Sequence, residues 1–291
     1  MEEKFVPGLP SLDLDGLVQY IKNGHAKHVV FLTGAGTSVA AGIPDFRSPG
    51  IGLYSKLEEY DLPYPEAVFT LDYFDENPLP FFKVTRDLQP GFFKPVAAHY
   101  LPALFEEHGL LTRIYTQNID GLDLQAGVSP QKLIEAHGGY SSMTCRKCQK
   151  TYKFEDYKDV MSLGEIPKCS CGGVVKPDVV FFGENLPRRF FAHLEKDLKS
   201  CDLFIVIGSS LQVSPCSHLM YKVPENIPRV LMNMNKVAEC SPDEEKPGGS
   251  FMFDHKDNKR DIFLGGDCQE SSMRLIEALG WKNDLQKLKK K

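Results

Sequence analysis

Gly34-Ala-Gly-Thr-Ser-Val-Ala-Ala-Gly-Ile-Pro-Asp-Phe-Arg47 follows on the apolar run His28-Val-Val-Phe-Leu32. A strand therefore delivers the chain into two close glycines, Gly34 and Gly36. Glycine adopts positive φ and carries no Cβ, so such a backbone can approach a pyrophosphate closely. The residues Thr37 to Ala41 that follow are suited to open a helix whose N-terminal amides favour an anion. A dinucleotide is the natural ligand for this turn. The spacing departs from Gly-x-Gly-x-x-Gly, however, and no acidic residue closes a second strand about twenty residues later to hold a ribose. Alone, the turn is also readable as steric packing between a strand and a helix.

Other segments repeat the arrangement of an apolar run with a polar or glycine ending. Arg113-Ile-Tyr-Thr116 ends in Gln117-Asn-Ile-Asp-Gly121, Asp202-Leu-Phe-Ile-Val-Ile207 in Gly208-Ser-Ser210, Arg229-Val-Leu-Met232 in Asn233, and Asp261-Ile-Phe-Leu264 in Gly265-Gly-Asp-Cys268. Between several of them, Pro95 to His108 and Leu186 to Leu198 have helical periodicity. Continuous apolar strands alternating with helices predict an α/β fold, a Rossmann-like doubly wound parallel sheet buried on both faces. In such sheets ligands sit beyond the carboxyl ends of the strands, so the polar endings converge on one crevice.

At 291 residues and 42% hydrophobic content, the chain can bury a full core as one large domain or as a large and a small one. Its net charge of −5 argues against nonspecific nucleic-acid binding. No run is long and apolar enough to span a bilayer, and the start Met1-Glu-Glu-Lys-Phe5 resembles neither a secretory nor a transit segment, which predicts a cytosolic protein with nuclear access open. Leu9, Leu12, Leu14 and Leu17 have export-signal spacing, but read better as the buried stripe of a first helix capped by Ser11. The stretch from Trp281 to Lys291 reads as a solvated basic tail on the end of a helix.

Of eight cysteines, four cluster as Cys145-Arg-Lys-Cys148 and Cys169-Ser-Cys171. Two knuckles at this separation suit a tetrahedral Zn²⁺, and four thiolates leave no open position, so the metal is read as structural. The second knuckle is one residue shorter than Cys-x-x-Cys, and Gly172-Gly173 is placed to absorb the tighter turn. The interval between the knuckles could hardly build a core without such a staple.

Gly34-Ala-Gly-Thr-Ser, Gly42-Ile-Pro-Asp-Phe-Arg-Ser48, Gly52-Leu-Tyr54, Tyr115-Thr-Gln-Asn-Ile-Asp120, Glu135-Ala-His-Gly138, Lys176-Pro-Asp-Val-Val-Phe-Phe-Gly-Glu184 and Gly208-Ser-Ser-Leu-Gln-Val213 occur in this order. They resemble the motifs of the sirtuins, NAD-dependent protein lysine deacylases, and the similarity runs from about Leu14 to Trp281. Leu62-Pro-Tyr-Pro-Glu66 and the ending Phe253 to Cys268 are most similar to the cytoplasmic tubulin-deacetylating branch, with the mitochondrial branch a near second. The resemblance implies a Rossmann-like NAD-binding domain of residues 1–52, 88–138 and 175–291, a cofactor loop and helical module at 53–87, and a zinc-binding module at 139–174. The last two would together form a small domain.

It also implies a route. The acyl-lysine carbonyl oxygen attacks C1′ of the nicotinamide ribose, nicotinamide leaves, and a ribose hydroxyl and then water collapse the alkylamidate. The acyl group ends on ADP-ribose. His137 is the expected general base, because an imidazole of pKa near ~6.5 is matched to taking a hydroxyl proton at neutral pH. Asn118 would orient ribose or water, and Asp120 would accept from the nicotinamide carboxamide. Helix capping after a strand is the plainer reading of both. Phe46 would shield the C1′ centre, and Arg47 would meet phosphate. Gly34, Ala35, Gly36, Thr37, Ser38, Asp45, Tyr54, Gln117 and Ile119 complete the loop and nicotinamide end by resemblance. Gly208, Ser209, Ser210, Asn233, Asn235 and Cys268 match the adenosine end. Many sirtuins carry an acidic residue where Asn235 stands, so this chain loses charge assistance there.

Val179 to Glu184 suits main-chain pairing with an extended peptide. Val180, Phe181, Phe182, Gly183 and Glu184, with Phe69 and Leu88, are the expected substrate contacts, against the alternative of an ordinary core strand. Implied partners are acylated-lysine proteins such as tubulin or histones, with no direct nucleic acid, no membrane and a monomeric state. Two alternatives stay open: a protein mono-ADP-ribosyltransferase, and a NAD- or peptide-binding module without turnover.

Overall fold

The computed structural model describes residues 4–44, 57, 62–245 and 248–290. Six strands form one parallel sheet in the order β3-β2-β1-β7-β8-β9. They are β1 (Val29–Thr33), β2 (Leu111–Thr116), β3 (Leu133–Glu135), β7 (Leu203–Ile207), β8 (Arg229–Asn233) and β9 (Asp261–Gly265). β2 and β7 both pair with β1 in parallel, so the chain winds outward in two directions from β1. A smaller antiparallel sheet, β5-β4-β6, is built from β4 (Gly138–Cys145), β5 (Thr151–Lys153) and β6 (Val175–Val179).

The continuous apolar runs of β1 and β7 are explained by two covered faces. Val29 and Phe31 of β1 join one core with α1 (Leu14–Lys22), α4 (Ala97–Glu107), α8 (Cys268–Leu279) and α9 (Lys282–Leu288). Val30 and Leu32 join the opposite core with α7 (Arg188–Ser200) and the turn around Met220. Alternation is hidden in the sequence because both faces are buried. A third core joins α2 (Leu71–Glu76), α3 (Leu79–Thr85), α6 (Lys158–Ser162) and the small sheet. In it the rings of Phe74 and Phe81 lie 5.5 Å apart and those of Phe81 and Phe181 5.1 Å apart. The helical stretch and the four-cysteine segment thus share one hydrophobic interior, which explains how a segment poor in apolar residues holds its shape.

Three expectations are corrected. Asp13, not Ser11, caps α1: its carboxylate accepts Gly16 N–H at 2.8 Å, while the Ser11 hydroxyl donates to that same carboxylate. A carboxylate at a helix N-terminus adds charge to the cap. The glycine turn does not open an α-helix. Two 3₁₀ turns, Ala35–Thr37 and Val39–Ala41, follow it, the second ending at Gly42 with φ +97°, and Gly36 N–H is held by Gly208 O at 2.8 Å. The tail is not solvated: α9 buries Leu285 and Leu288, and Trp281 stacks on His108 with centroids 4.1 Å apart. Its lysines hid a helical stripe of only two leucines.

Candidate active site and metal centre

The strand order reverses between β1 and β7, and there the two glycine turns meet. A Cβ on Gly36 would stand 2.7 Å from Gly208 Cα, and one on Gly208, where φ is +61°, would stand 2.5 Å from Thr37 N. The glycines are therefore demanded first by the contact of two loops. Gly34 N–H donates to Ile207 O at 3.0 Å, and Ala35 N–H is left as the first donor of the loop without a partner among the described residues.

Beyond β2, Gln117, Asn118 and Asp120 fold back onto this loop. Asn118 Nδ2 donates to Gly34 O at 3.1 Å and to Thr37 Oγ1 at 2.9 Å. A carbonyl only accepts, so the amide orientation is fixed and Asn118 Oδ1 remains an uncommitted acceptor. Asp120 Oδ2 accepts from Ser38 Oγ at 2.7 Å, and its Oδ1 accepts Leu122 N–H at 2.9 Å. The second bond takes the first amide of the short helix α5 (Leu122–Gln125) from the residue before its N-cap, Gly121, so Asp120 also serves the start of that helix. A carboxylate retains lone pairs for a further donor. Gln117 Nε2 reaches Ser209 Oγ at 2.7 Å and ties the β2 ending to the β7 ending.

A histidine that sequence reasoning missed completes the group. His99 Nδ1 accepts Val96 N–H at 3.2 Å, which makes its Nε2 the protonated nitrogen facing Ser38 Oγ at 3.1 Å. Burial pulls His99 down to about 4, against the nearby Asp120. It stays neutral and forms the chain His99 to Ser38 to Asp120. Only the fold brings α4 here; a lone histidine in a helix carries no signal. Two carboxyls near Asp120 are perturbed the other way. Burial, then Asp120, pushes Asp123 up to about 8 and Glu135 up to about 7. Asp123 is thus protonated at neutral pH.

His137 follows β3. Its Nδ1 lies 2.8 Å from Gln117 O, and since a carbonyl cannot donate, Nδ1 carries the proton and Nε2 keeps a bare lone pair. Burial lowers its pKa, and the bond to Gln117 O works in the opposite direction. The ring borders a cleft of about 210 Å³ lined also by Phe69, Ile119, Val180, Phe182 and Gly183.

The segment after β6 is only partly an open edge. Val180 N–H donates to His137 O and Phe182 N–H to Phe69 O, both at 2.8 Å. The Phe181 ring is buried among Phe69, Phe74 and Phe81. Phe182 is half exposed, and Gly183, with φ +89°, has a free N–H among the described residues. Leu88 and Ile119 border a narrow recess with Ala35, Ser38, Asn118 and Asp120. At the far end, Asn233 Nδ2 bonds Asn235 O at 2.9 Å, while Ser210 and Asn235 are exposed. Cys268 is buried at the start of α8, its Sγ 3.6 Å from Met232 O. Asp45, Phe46, Arg47 and Tyr54 lie outside the described residues.

Cys145, Cys148, Cys169 and Cys171 present four sulfurs all within 4.8 Å of one another. Two pairs, Cys145 with Cys171 and Cys148 with Cys169, stand at 3.6 Å. Sulfurs each about 2.3 Å from one tetrahedral centre would be about 3.8 Å apart, so the cluster fits structural Zn²⁺. The shortened knuckle is accommodated by its glycines. Gly172 sits at φ +80°, and a Cβ on Gly173 would fall 2.8 Å from Cys145 Sγ.

Residues 34–215 match the model described as the Sir2 family. The NAD-dependent protein deacetylase sirtuin-2 of Danio rerio is 46% identical over 97% of this chain and 76% of its own length. The NAD-dependent deacetylase sir2A of Dictyostelium discoideum is 44% identical over 95% of the chain, which spans 54% of that relative. The NAD-dependent protein deacetylase sirtuin-3 of Mus musculus is 42% identical over 94% of the chain and 78% of its own length.

Proposed function

This chain belongs to the Sir2 family, and on that premise we propose how its residues divide the work of an NAD-dependent protein lysine deacetylase. The activity follows from the family match and from relatives named for it. The observation that carries the division is the His137 tautomer: a neutral imidazole with Nε2 unprotonated, on the wall of a cleft that shares Ile119 with the recess lined by Asn118 and Asp120.

NAD, when bound, supplies an electrophilic ribose carbon and nicotinamide as leaving group. The residues present suit it. The β1 and β7 loops, through Ala35, Gly208 and Ser209, flank the crevice where such sheets hold dinucleotides. Asn118 Oδ1 and the spare lone pairs of Asp120 would accept from the ribose and carboxamide of bound NAD. His137 Nε2 takes a hydroxyl proton and becomes imidazolium, with Gln117 O still holding Nδ1–H. Phe69, Ile119, Val180 and Phe182 line the acyl-lysine stem, and Gly183 N–H offers a main-chain bond to the peptide. Asp45, Phe46, Arg47 and Tyr54 contribute by resemblance alone.

The three-part division at 1–52, 88–138 and 175–291, at 53–87, and at 139–174 is proposed on the same basis, supported by the core that the last two segments share. Acetylated proteins are the substrates; tubulin and histones are the proposed ones, acted on by a monomer in the cytoplasm with nuclear shuttling. Leu9 and Leu17 are buried, which weighs against their serving as an export motif in the folded chain. No helix among the described residues is long and apolar enough to cross a membrane.

The test is to incubate an acetyl-lysine peptide with NAD and follow both products. Deacetylated peptide and free nicotinamide are expected in equal amounts, and neither without NAD. Nicotinamide release with ADP-ribose retained on protein would support the transferase alternative, and no turnover would support the binding module.

A further inference from the structure

Lys176 is a buried ammonium that the chemistry above does not use. Its Nζ donates to Val179 O at 2.6 Å and to Glu184 Oε2 at 3.0 Å, and stands 4.1 Å from the centroid of the Phe181 ring. An ammonium has three donors, and two acceptors with one aromatic face use all of them. Glu184 Oε2 also accepts Phe181 N–H at 2.7 Å. These groups close a ring around residues 179–184.

The ring is anchored on both sides. Lys176 lies opposite Thr144 in the small sheet, one residue from the zinc-ligand position Cys145. Phe181 is seated in the aromatic core, which fixes the far side of the loop. Burial pulls the Lys176 ammonium down, while Glu184 acts against it. An aliphatic residue would fill the same space without that desolvation cost, so packing alone does not account for a lysine here.

We infer that Lys176 is a positioning residue for the acylated peptide, holding Glu184 and Phe181 N–H so that Phe182 and Gly183 present their backbone to the substrate at the cleft. This rests on the proposed reading that residues 180–184 pair with the peptide. The Lys176 side chain touches neither the His137 ring nor the glycine turn, so the effect belongs to peptide binding and not to the chemical step.

The experiment compares wild type, Lys176→Met, Glu184→Gln and the double variant for steady-state kinetics, zinc content and thermal stability. Expected for Lys176→Met is a roughly tenfold rise in KM for acetyl-peptide, with kcat and KM for NAD within about twofold, as for loss of uniform binding. One zinc per chain should remain, and the double variant should be no worse than the worse single one. An unchanged peptide KM overturns the inference, as does a parallel loss of kcat, NAD affinity and zinc. Should Lys176→Met fail to fold, Glu184→Gln keeps the shape and an acceptor for Phe181 N–H, and its peptide KM decides. If wild type itself shows no NAD-dependent deacetylation, the functional reading fails. Direct binding of a fluorescent acetyl-lysine peptide to wild type and Lys176→Met then decides the role of Lys176.

Discussion

His137→Ala is expected to cut NAD-dependent deacetylation by at least ~10²- to 10⁴-fold while leaving the fold and the zinc in place. The geometry gives the reason. Gln117 O holds the proton of Nδ1, so Nε2 is the acceptor, and none of the described residues bordering the same cleft offers a second neutral base. The side chain makes one hydrogen bond to the main chain, so its removal costs little of the core. Because burial depresses the imidazole pKa, the catalytic neutral form persists below the usual histidine value. The acid limb of kcat/KM should therefore fall below pH ~6.5 in wild type and be absent from any residual activity of the variant. The stability sign runs the same way: the unfolded chain protonates His137 before the folded one does, so stability falls as pH drops through ~6.5. The measurement is kcat/KM from pH 5 to 9 for both proteins, with circular dichroism alongside. Activity within threefold of wild type would overturn the assignment.

The parts of the fold that were legible in the sequence had redundant signals. Five of the six parallel strands (β1, β2, β7, β8 and β9) carried an apolar run with a polar ending and form the predicted parallel sheet, whereas β3, only three residues long, gave too short a run to mark. The four cysteines needed only spacing. What stayed hidden depended on contacts distant in the chain. The glycines of the β1 turn looked like a ligand device, and in the fold they first relieve a collision with Gly208. His99 reaches Ser38 only because α4 packs beside the turn. Phe181 alternates with two residues that turn toward the cleft, yet the aromatic core takes its ring. Lys176 and Glu184 were visible as a motif, but the bond between them appears only when the loop closes. The burial of α9 rests on Leu285 and Leu288 against a lysine-rich background, too sparse a stripe to outweigh its charge.

Removal of zinc should have the largest effect on structure, confined at first to one part of the molecule. A tetrathiolate site contributes folding free energy of order ~10–16 kcal/mol in small isolated modules, more than a small core supplies. Cys145 and Cys169 belong to the same hydrophobic cluster as Phe69, Phe74, Phe81 and Phe181. Loss of the metal leaves buried thiols without their cation in the middle of that cluster. The damage should therefore spread to the helices α2 and α3 and to residues 180–184, and deacetylation should be lost although no cysteine approaches His137. The parallel sheet has its own two cores and should outlast it. The chain's one tryptophan, Trp281, packs against Phe105 in the larger core and reports on it separately. Chelation followed by hydrogen exchange should show fast amides at residues 71–85, 140–175 and 180–184 while Trp281 emission is unchanged. Cys171→Ser should reproduce this pattern without chelator. An active chain shown to be metal-free by native mass spectrometry would mean that the shortened knuckle closes without zinc, and would separate the cysteine cluster from the architecture of the substrate cleft.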